Sequence, residues 1–432
     1  MATKEIIAAW IRSQEYEAAT LLKKLVQQPS VRGNEGNAQA IVVEKCRELG
    51  LEMDLWELDE DPDLKNHPSF FCDRTQFAGN PNVVAVLKGN GEGKSIILNG
   101  HIDVVPEGNR DDWEEHPYSG HEEDGKIFGR GTTDMKGGNV ALLLAIEALV
   151  RNEVRLEGDV IFQSVIEEES GGAGTLAAVL RGYRADAAII PEPTGMKFFP
   201  HQQGSLWFRL RIKGRSAHGG TRYEGVSSLD LSYAVMDRIK RLEKKRNESI
   251  KEQPLYKDLP IPVPINIGVC QSGNWPSSVP DMTILEGRYG ISPYEQMEEA
   301  ILEFERDIAE LNATHEWFRE KPVELEWFGA RWLPGKIDDD HEFLQCLRKN
   351  YKLVEQTEPA IEASPWGTDG GILSTIGRTP VVVFGPGVTK KAHDSNEYIE
   401  IGAVLKAAEI IAMTIMDWCG ADKIICEEGA GS

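Results

Sequence analysis

Several features that would place the chain at a membrane or outside the cell are missing from its 432 residues. No run of about 18 apolar residues is present, so we expect no transmembrane helix. Residues 1–11 mix charged and apolar side chains and lack the apolar core of a signal peptide. The six cysteines are scattered and none forms a CxxC pair. This pattern favours a reducing, cytoplasmic setting over a disulfide framework.

Basic side chains are also scarce, with 47 Lys and Arg against 70 Asp and Glu and a formal net charge of −23. A surface of this sign repels polyanions, so we expect no nucleic-acid partner and no anionic membrane partner. Most of the acidic side chains are expected to be solvated, although some could bind cations. A chain of this length exceeds one compact core and predicts two domains.

Apolar strands alternate with helices through the first half of the chain. This alternation predicts an α/β domain, with a mostly parallel central sheet flanked by helices. Helices are predicted at 5–27, 37–49, 138–150 and 173–181, and strands at 82–87, 95–99, 160–165 and 187–190.

The pattern changes near residue 204 and returns near residue 330. Between these points the predicted order is strand, helix, two strands, helix and strand, which is the ferredoxin-like arrangement. We therefore predict a discontinuous domain of residues 1–203 and 330–432, with residues 204–329 inserted as an α+β domain. The inserted strands are predicted at 206–212, 265–270, 283–289 and 322–327, and its helices at 226–246 and 294–312. Beyond the insertion, helices are predicted at 341–350 and 401–418 and a strand at 380–384.

Side chains able to bind a metal follow the predicted strands. His101 comes after strand 95–99, Glu169 after 160–165, Glu192 after 187–190, and His393 follows strand 380–384 at a distance. Asp134 lies in a glycine-rich loop before a helix. Taken singly, the imidazoles are typical of polar loops, the run at 167–169 of an exposed acidic loop, and Asp134 of a helix cap. A phosphate-binding loop is a further alternative, but the Walker spacing is absent.

Taken together, these residues predict a metal centre. Sites in open parallel sheets form beyond the carboxyl ends of the strands, where these side chains would meet. Two imidazoles and three carboxylates, with one carboxylate bridging, would give each of two metal ions one nitrogen and two oxygen ligands. This donor set suits zinc, and also cobalt or manganese.

The sequence resembles the M20 family of metallopeptidases and deacylases, which includes acetylornithine deacetylase, succinyl-diaminopimelate desuccinylase, aminoacylase and glutamate carboxypeptidases. The resemblance extends over about residues 15–415. It rests on the motifs GHIDVVPEG, DGKIFGRGTTDMKGG, EEESGGAGT, PEPTG and AHDSNEY, which occur in the family's order and spacing.

The resemblance implies a role for each candidate in the first domain. Asp134 would bridge two zinc ions, Glu168 would be the general base, and Asp103 would orient His101. A cis peptide bond is expected between Asp134 and Met135. The implied ligands are His101, Asp134 and Glu192 for one ion, and Asp134, Glu169 and His393 for the other.

The resemblance also implies that the inserted domain is a lid that forms a homodimer. His218, in the GxSAH motif at 214–218, would reach the partner's site and hydrogen-bond the developing oxyanion. The alternative is a loop histidine that closes a strand. Arg288 would bind a substrate carboxylate, with an exposed strand arginine as the alternative. Three features depart from the family pattern: Ser277 replaces a frequent asparagine, Gly219-Gly220 follows His218, and segment 56–79 is longer than in compact members.

These expectations combine into one predicted activity, hydrolysis of an amide bond in a small N-acyl amino acid that carries a carboxylate. A dipeptidase or carboxypeptidase with the same chemistry is an open alternative, as is a deformylase acting on a small N-formyl amine. A non-catalytic binding protein is a third class, disfavoured because every implied ligand and Glu168 are present.

Overall fold

The computed structural model describes residues 3–421. Its strands are β1 Glu52–Trp56, β2 Asn82–Leu87, β3 Ile96–His101, β4 His121–Glu123, β5 Lys126–Phe128, β6 Val160–Val165, β7 Ala187–Ile190, β8 Phe198–Gln202, β9 Gly204–Lys213, β10 Ile265–Ser272, β11 Met282–Ile291, β12 Glu324–Trp332, β13 Gly335–Lys336, β14 Ile361–Ser364, β15 Val381–Val383 and β16 Tyr398–Glu400. Its α-helices are α1 Thr3–Arg12, α2 Glu15–Val26, α3 Gly36–Glu48, α4 Gly137–Arg151, α5 Ala173–Leu180, α6 Ser228–Ile250, α7 Met297–Thr314, α8 Glu316–Glu320, α9 Glu342–Glu355, α10 Gly370–Thr375 and α11 Ile401–Cys419.

The chain divides into two compact units. The first comprises the described parts of Met1–His201, Lys336–Glu362 and Ile372–Ser432, and the second comprises Gln202–Gly335 and Ala363–Gly371. The predicted division into 1–203 with 330–432 and an inserted 204–329 stays a prediction about domains, and its bounds are not those of these units. The outermost residues of the predicted ranges, 1–2 and 422–432, lie outside the described residues.

The first unit is built on a mixed sheet whose central strands are parallel. Its principal strand order is β1-β2-β6-β3-β7-β15-β8. Strand β3 pairs in parallel with β6 and β7, and β7 pairs in parallel with β15. Every residue of β3, β6 and β7 is buried, as expected for strands covered by helices on both faces. The predicted α/β class is confirmed.

Two long apolar helices of the first unit, α4 and α11, pack against each other. The single helix predicted over 5–27 is wrong, since the chain forms α1 and α2 with a break at Ser13 and Gln14. The Ser13 hydroxyl donates to the Trp10 carbonyl oxygen at 2.6 Å, a local bond that competes with continued helix. No helix within residues 3–421 combines the length and apolarity needed to span a bilayer.

The second unit contains a four-stranded antiparallel sheet in the order β10-β11-β9-β12. Helices α6 and α7 connect its strands in the predicted strand–helix–strand–strand–helix–strand order. From Leu206 onward, buried residues alternate along β9 with more exposed ones, as in a sheet with one covered face. On the covered face, the Phe208 and Tyr289 rings both pack on Phe304, with ring centroids 5.0 and 4.9 Å away. The predicted ferredoxin-like arrangement is confirmed.

Candidate active site

His101 ends the buried strand β3 and is itself 1% exposed. Its Nδ1 lies 2.8 Å from the main-chain oxygen of Asp103. Because a carbonyl oxygen accepts hydrogen bonds and never donates them, Nδ1 carries the proton of this bond. The opposite nitrogen, Nε2, faces carboxylates, at 3.2 Å from Asp134 Oδ1 and 3.8 Å from Glu192 Oε1. This is the arrangement in which neutral imidazole offers Nε2 to a metal.

Asp134 lies in the turn Thr132–Lys136, directly before α4, and a cis peptide bond joins it to Met135 as expected. Its two carboxylate oxygens approach different imidazoles. Oδ1 is 3.2 Å from His101 Nε2, and Oδ2 is 3.3 Å from His393 Nε2. The carboxylate therefore lies between the two histidines, where a bridging ligand would have to be.

The remaining candidates of the first unit gather around this carboxylate. Glu169 Oε1 lies 3.1 Å from His393 Nε2. Two sets of ligand atoms lie within 4.8 Å of one another, one from His101, Asp134 and Glu169, the other from His101, Glu168 and Glu192. Glu168 thus lies as close to the cluster as the predicted ligands do. Distance alone does not separate the predicted base from the predicted ligands.

The charges of the cluster fit a cation. Burial lowers the pKa of His101, but the Asp134 hydrogen bond and the Glu192 and Asp103 charges outweigh it and raise that pKa well above its ordinary value. Hydrogen bonds from the His393 ring to the Asp134 and Glu169 carboxylates raise the pKa of His393 to about 11. The clustered carboxylates therefore favour positive charge among them, and the imidazole and carboxylate donors suit a divalent transition metal.

Asp103 contacts both halves of the cluster. Its carboxylate Oδ1 is 3.7 Å from His101 Nδ1, so the hydrogen bond to that ring comes from its main chain. The carboxylate instead accepts the backbone N–H groups of Glu168 at 3.3 Å and Glu169 at 3.1 Å. Burial raises the pKa of Asp103 to about 8. One residue thus connects the end of β3 to the turn after β6.

A buried ion pair that the sequence did not predict holds the Asp134 turn. The Glu397 carboxylate accepts from Arg130 Nη1 at 2.6 Å, and both residues are buried. The same carboxylate accepts the N–H groups of Gly131, Thr133 and Asp134 at 3.0, 2.8 and 3.1 Å. Arg130 lies in the motif DGKIFGRGTTDMKGG and Glu397 in AHDSNEY. The two residues are 267 positions apart, so no local sequence pattern predicts that they pair. Pairing of β5 with β16 brings them together.

The acidic run at 167–169 is not the exposed loop that its composition suggests when taken alone. Glu167 is fully buried and Glu168 is 6% exposed. Arg32 and Arg74 form ion pairs with Glu167 at 2.8 and 2.6 Å. Burial raises the pKa of Glu167, but hydrogen bonds from Cys72, Ser170 and Arg74 and the Arg32 charge outweigh it, so the net shift is downward. The arginines that permit this burial lie about 90 or more residues earlier.

The other two predicted site residues belong to the second unit. His218 is exposed, and its Nδ1 accepts the Gly220 N–H at 3.0 Å, so a neutral ring carries its proton on Nε2. Arg288, on β11, donates from Nη1 to Gln203 Oε1 at 3.4 Å and forms no ion pair with any residue in 3–421. Burial lowers its pKa to about 10. A desolvated guanidinium without a counter-ion is suited to an anionic ligand.

Comparison with known proteins agrees with this fold. Residues 97–417 match the family model described as Peptidase family M20/M25/M40. This match and the relatives described below define a hydrolase that acts on amide bonds. The chain belongs to the M20 family.

Three similar proteins illustrate the range of the family. The chain is 30% identical to the N-formyl-4-amino-5-aminomethyl-2-methylpyrimidine deformylase of Halalkalibacterium halodurans, over 96% of this chain and 97% of that protein. It is 28% identical to a probable succinyl-diaminopimelate desuccinylase of Staphylococcus aureus, over 76% and 84% of the two chains. A solved tripeptidase structure from Staphylococcus aureus has a TM-score of 0.71 at 22% identity, covering 94% of this chain and 98% of that one. This last likeness concerns the fold.

Proposed function

We propose that the protein is a two-metal amidohydrolase that removes the acyl group from a small N-acyl amino acid. The observation that carries the proposal is the position of Asp134, with one carboxylate oxygen 3.2 Å from His101 and the other 3.3 Å from His393. His101, Asp134 and Glu192 would hold one ion, and Asp134, Glu169 and His393 the other. The mixed donors favour zinc, with cobalt or manganese as alternatives.

Glu168 is the general base of this proposal. Divalent ions bound at the cluster would supply electrophilic polarisation of the amide carbonyl and a water of lowered pKa. The Glu168 carboxylate would take the proton of that water and pass it to the departing nitrogen. The N–H bonds of residues 168 and 169 to Asp103 would fix the backbone from which this carboxylate projects. No covalent link between chain and substrate is required.

The inserted domain, residues 204–329, would bind substrate and form a homodimer. A neutral His218 ring presents an Nε2 proton, because Nδ1 accepts the Gly220 N–H, and we assign that proton to the oxyanion of the partner's site. Arg288 would bind the substrate carboxylate, since it is half-buried and no described carboxylate pairs with it.

A second candidate function is removal of a formyl group from a small amine. It is supported by the 30% identity to a deformylase over nearly the full length of both chains. The two candidates differ in what Arg288 would do, because an N-formyl amine without a carboxylate leaves this guanidinium unpaired. A dipeptidase or carboxypeptidase of the same chemistry would use Arg288 as the deacylase does.

One experiment separates these candidates. Purified protein is assayed on N-acetyl, N-formyl and N-succinyl amino acids, on dipeptides and on an N-formyl aminomethylpyrimidine, with metal content measured before and after chelation. We expect about two zinc-class ions per chain and hydrolysis of one substrate class that chelation removes. Folded protein that binds no metal and cleaves none of these amides would contradict the proposal.

A further inference from the structure

Glu167 is a buried charge that the proposed reaction does not use. It directly precedes the proposed base and is 0% exposed. A buried carboxylate is costly unless its oxygens are paired. We therefore expect this carboxylate to have a structural role in the turn that carries Glu168.

Four side chains donate to the Glu167 carboxylate. Arg74 Nη1 donates to Oε1 at 2.6 Å, and Arg32 Nε donates to Oε2 at 2.8 Å. The Cys72 thiol donates to Oε2 at 3.0 Å, and the Ser170 hydroxyl donates to the same oxygen. Donors from three parts of the chain hold this side chain in one orientation.

Two of these donors belong to segment 56–79, which the sequence predicts to be longer than in compact members of the family. Arg74 is itself fixed by three contacts. Its Nη1 also donates to Glu35 Oε1 at 2.9 Å, its Nε donates to the Gln76 carbonyl oxygen at 2.7 Å, and its guanidinium carbon lies 4.8 Å from the centre of the Phe77 ring. The segment therefore presents a preformed cation to Glu167.

The backbone of the turn is held by separate hydrogen bonds. Glu167 has a φ of 65°, a left-handed conformation that non-glycine residues adopt at a cost. Its carbonyl oxygen accepts the Gly172 N–H at 2.8 Å. Asp103 accepts the next two N–H groups, of Glu168 and Glu169. Side-chain bonds to Glu167 and backbone bonds to Asp103 thus enclose the residue from which the base projects.

We infer that Glu167 is a positioning residue, held by Arg74, Arg32 and Cys72, that fixes the orientation of the Glu168 carboxylate. The inference rests on the proposed function, because it takes Glu168 as the base. Segment 56–79 then contributes to catalysis without touching the reacting atoms. Its Arg74 and Cys72 determine how rigidly the base is held.

The variant Glu167→Gln keeps the size of the side chain and removes its charge. We expect kcat to fall about 10–100-fold, as for partners that orient functional groups. KM and the number of bound metal ions should stay the same, because the ligands and the substrate-binding residues are untouched. A fall from two bound ions to one, measured by cobalt titration, would overturn the inference, since Glu167 would then act through Glu169.

A double-mutant cycle tests whether Glu167 acts through Glu168. If it does, adding Glu167→Gln to Glu168→Gln should cause no further loss of kcat, since the base is already missing. An equal loss in both backgrounds would overturn the inference. Failure of the proposed function is distinguishable, because Glu168→Gln alone would then keep the wild-type rate.

If Glu167→Gln does not fold, variants of segment 56–79 provide a second test of the inference. Arg74→Gln and Cys72→Ala should each lower kcat with unchanged KM and cobalt stoichiometry, and Arg74→Gln should have the larger effect. The matched control is Arg348→Gln, which removes the ion pair between the exposed Arg348 and Glu358 side chains in the same unit and should leave kcat unchanged. Wild-type kcat in both Arg74→Gln and Cys72→Ala would overturn the assignment to this segment.

Discussion

The proposed metal ligands and the proposed substrate-binding residues differ in how the protein holds them. In the first unit, the backbone of the Asp134 turn is bonded to buried Glu397, and the turn of Glu168 and Glu169 is bonded to Asp103. In the second unit, the side chains of His218 and Arg288 each make one hydrogen bond within residues 3–421, at 3.0 and 3.4 Å. Ligands that must meet a metal at short range need fixed geometry before binding. Groups that bind a substrate need free donors instead.

The largest effect should come from removing the base. Glu168→Gln keeps the shape of the side chain and cannot accept a proton, so kcat should fall roughly 10²–10⁴-fold. Metal content should stay at the wild-type value because this residue is not a proposed ligand. Steady-state kinetics with elemental analysis measure both. Near-normal turnover in folded, metal-loaded variant would remove Glu168 from the mechanism.

Removal of the His218 side chain tests the proposed role of the second unit. Loss of an oxyanion donor typically costs about 10²–10³-fold in kcat, so His218→Ala should lose activity and keep its metals. If the residue acts in the partner's site, mixing His218→Ala with Glu168→Gln protein under subunit exchange should restore activity at about a quarter of the sites. No recovery after demonstrated exchange would place His218 in its own subunit's site or outside catalysis.

The Glu397–Arg130 pair should affect metal binding more than turnover. Glu397→Gln weakens the hydrogen bonds to the turn that carries Asp134. Loss of a residue that orients a metal ligand typically lowers metal affinity about 10–100-fold. The measurement is a competition titration of the metal against a chelator, with kcat determined at saturating metal. The double variant Arg130→Gln/Glu397→Gln, without the unpaired buried cation, is the control. Unchanged affinity in both would show that the pair serves stability alone.

The smallest effect is expected for Arg288, and it depends on the substrate. Arg288→Gln should raise KM about 10-fold for substrates that carry a carboxylate, in line with the strength of hydrogen bonds to charged groups. It should leave KM unchanged for an N-formyl amine without a carboxylate. Comparing the two substrate types on one protein preparation makes each the control of the other. An equal rise in KM for both would contradict carboxylate binding by Arg288.

The sequence predicted what local patterns encode. Buried strands followed by His101, Glu169 and Glu192 predicted both the sheet and the cluster beyond its strand ends, because strand burial and strand ends are visible in a short window. The two networks around the cluster were not predictable in this way. Glu397 and Arg130 are 267 positions apart, and Glu167 and Arg74 are 93 apart. Such pairs arise from tertiary folding, and no periodicity marks them.

The break between α1 and α2 has a related cause. Apolar spacing continued through residues 5–27 and predicted one helix, but one hydroxyl bond, from Ser13 to Trp10, stabilises a turn there. Periodicity reports which face is buried and does not register a local competitor of this kind. Helix ends therefore differ from the predicted ones even where the helix itself was predicted.

The most direct test of the central claim is the metal stoichiometry of the wild-type protein and of Asp134→Asn. If the Asp134 carboxylate bridges two ions, as proposed, wild-type protein should bind about two ions per chain. The Asp134→Asn variant should bind both ions more weakly and should lose the chelator-sensitive hydrolysis. The control is Asp54→Asn, on the surface of the same unit, which should bind as wild type does. Loss of one ion with the other bound at wild-type affinity would contradict the bridging role of Asp134.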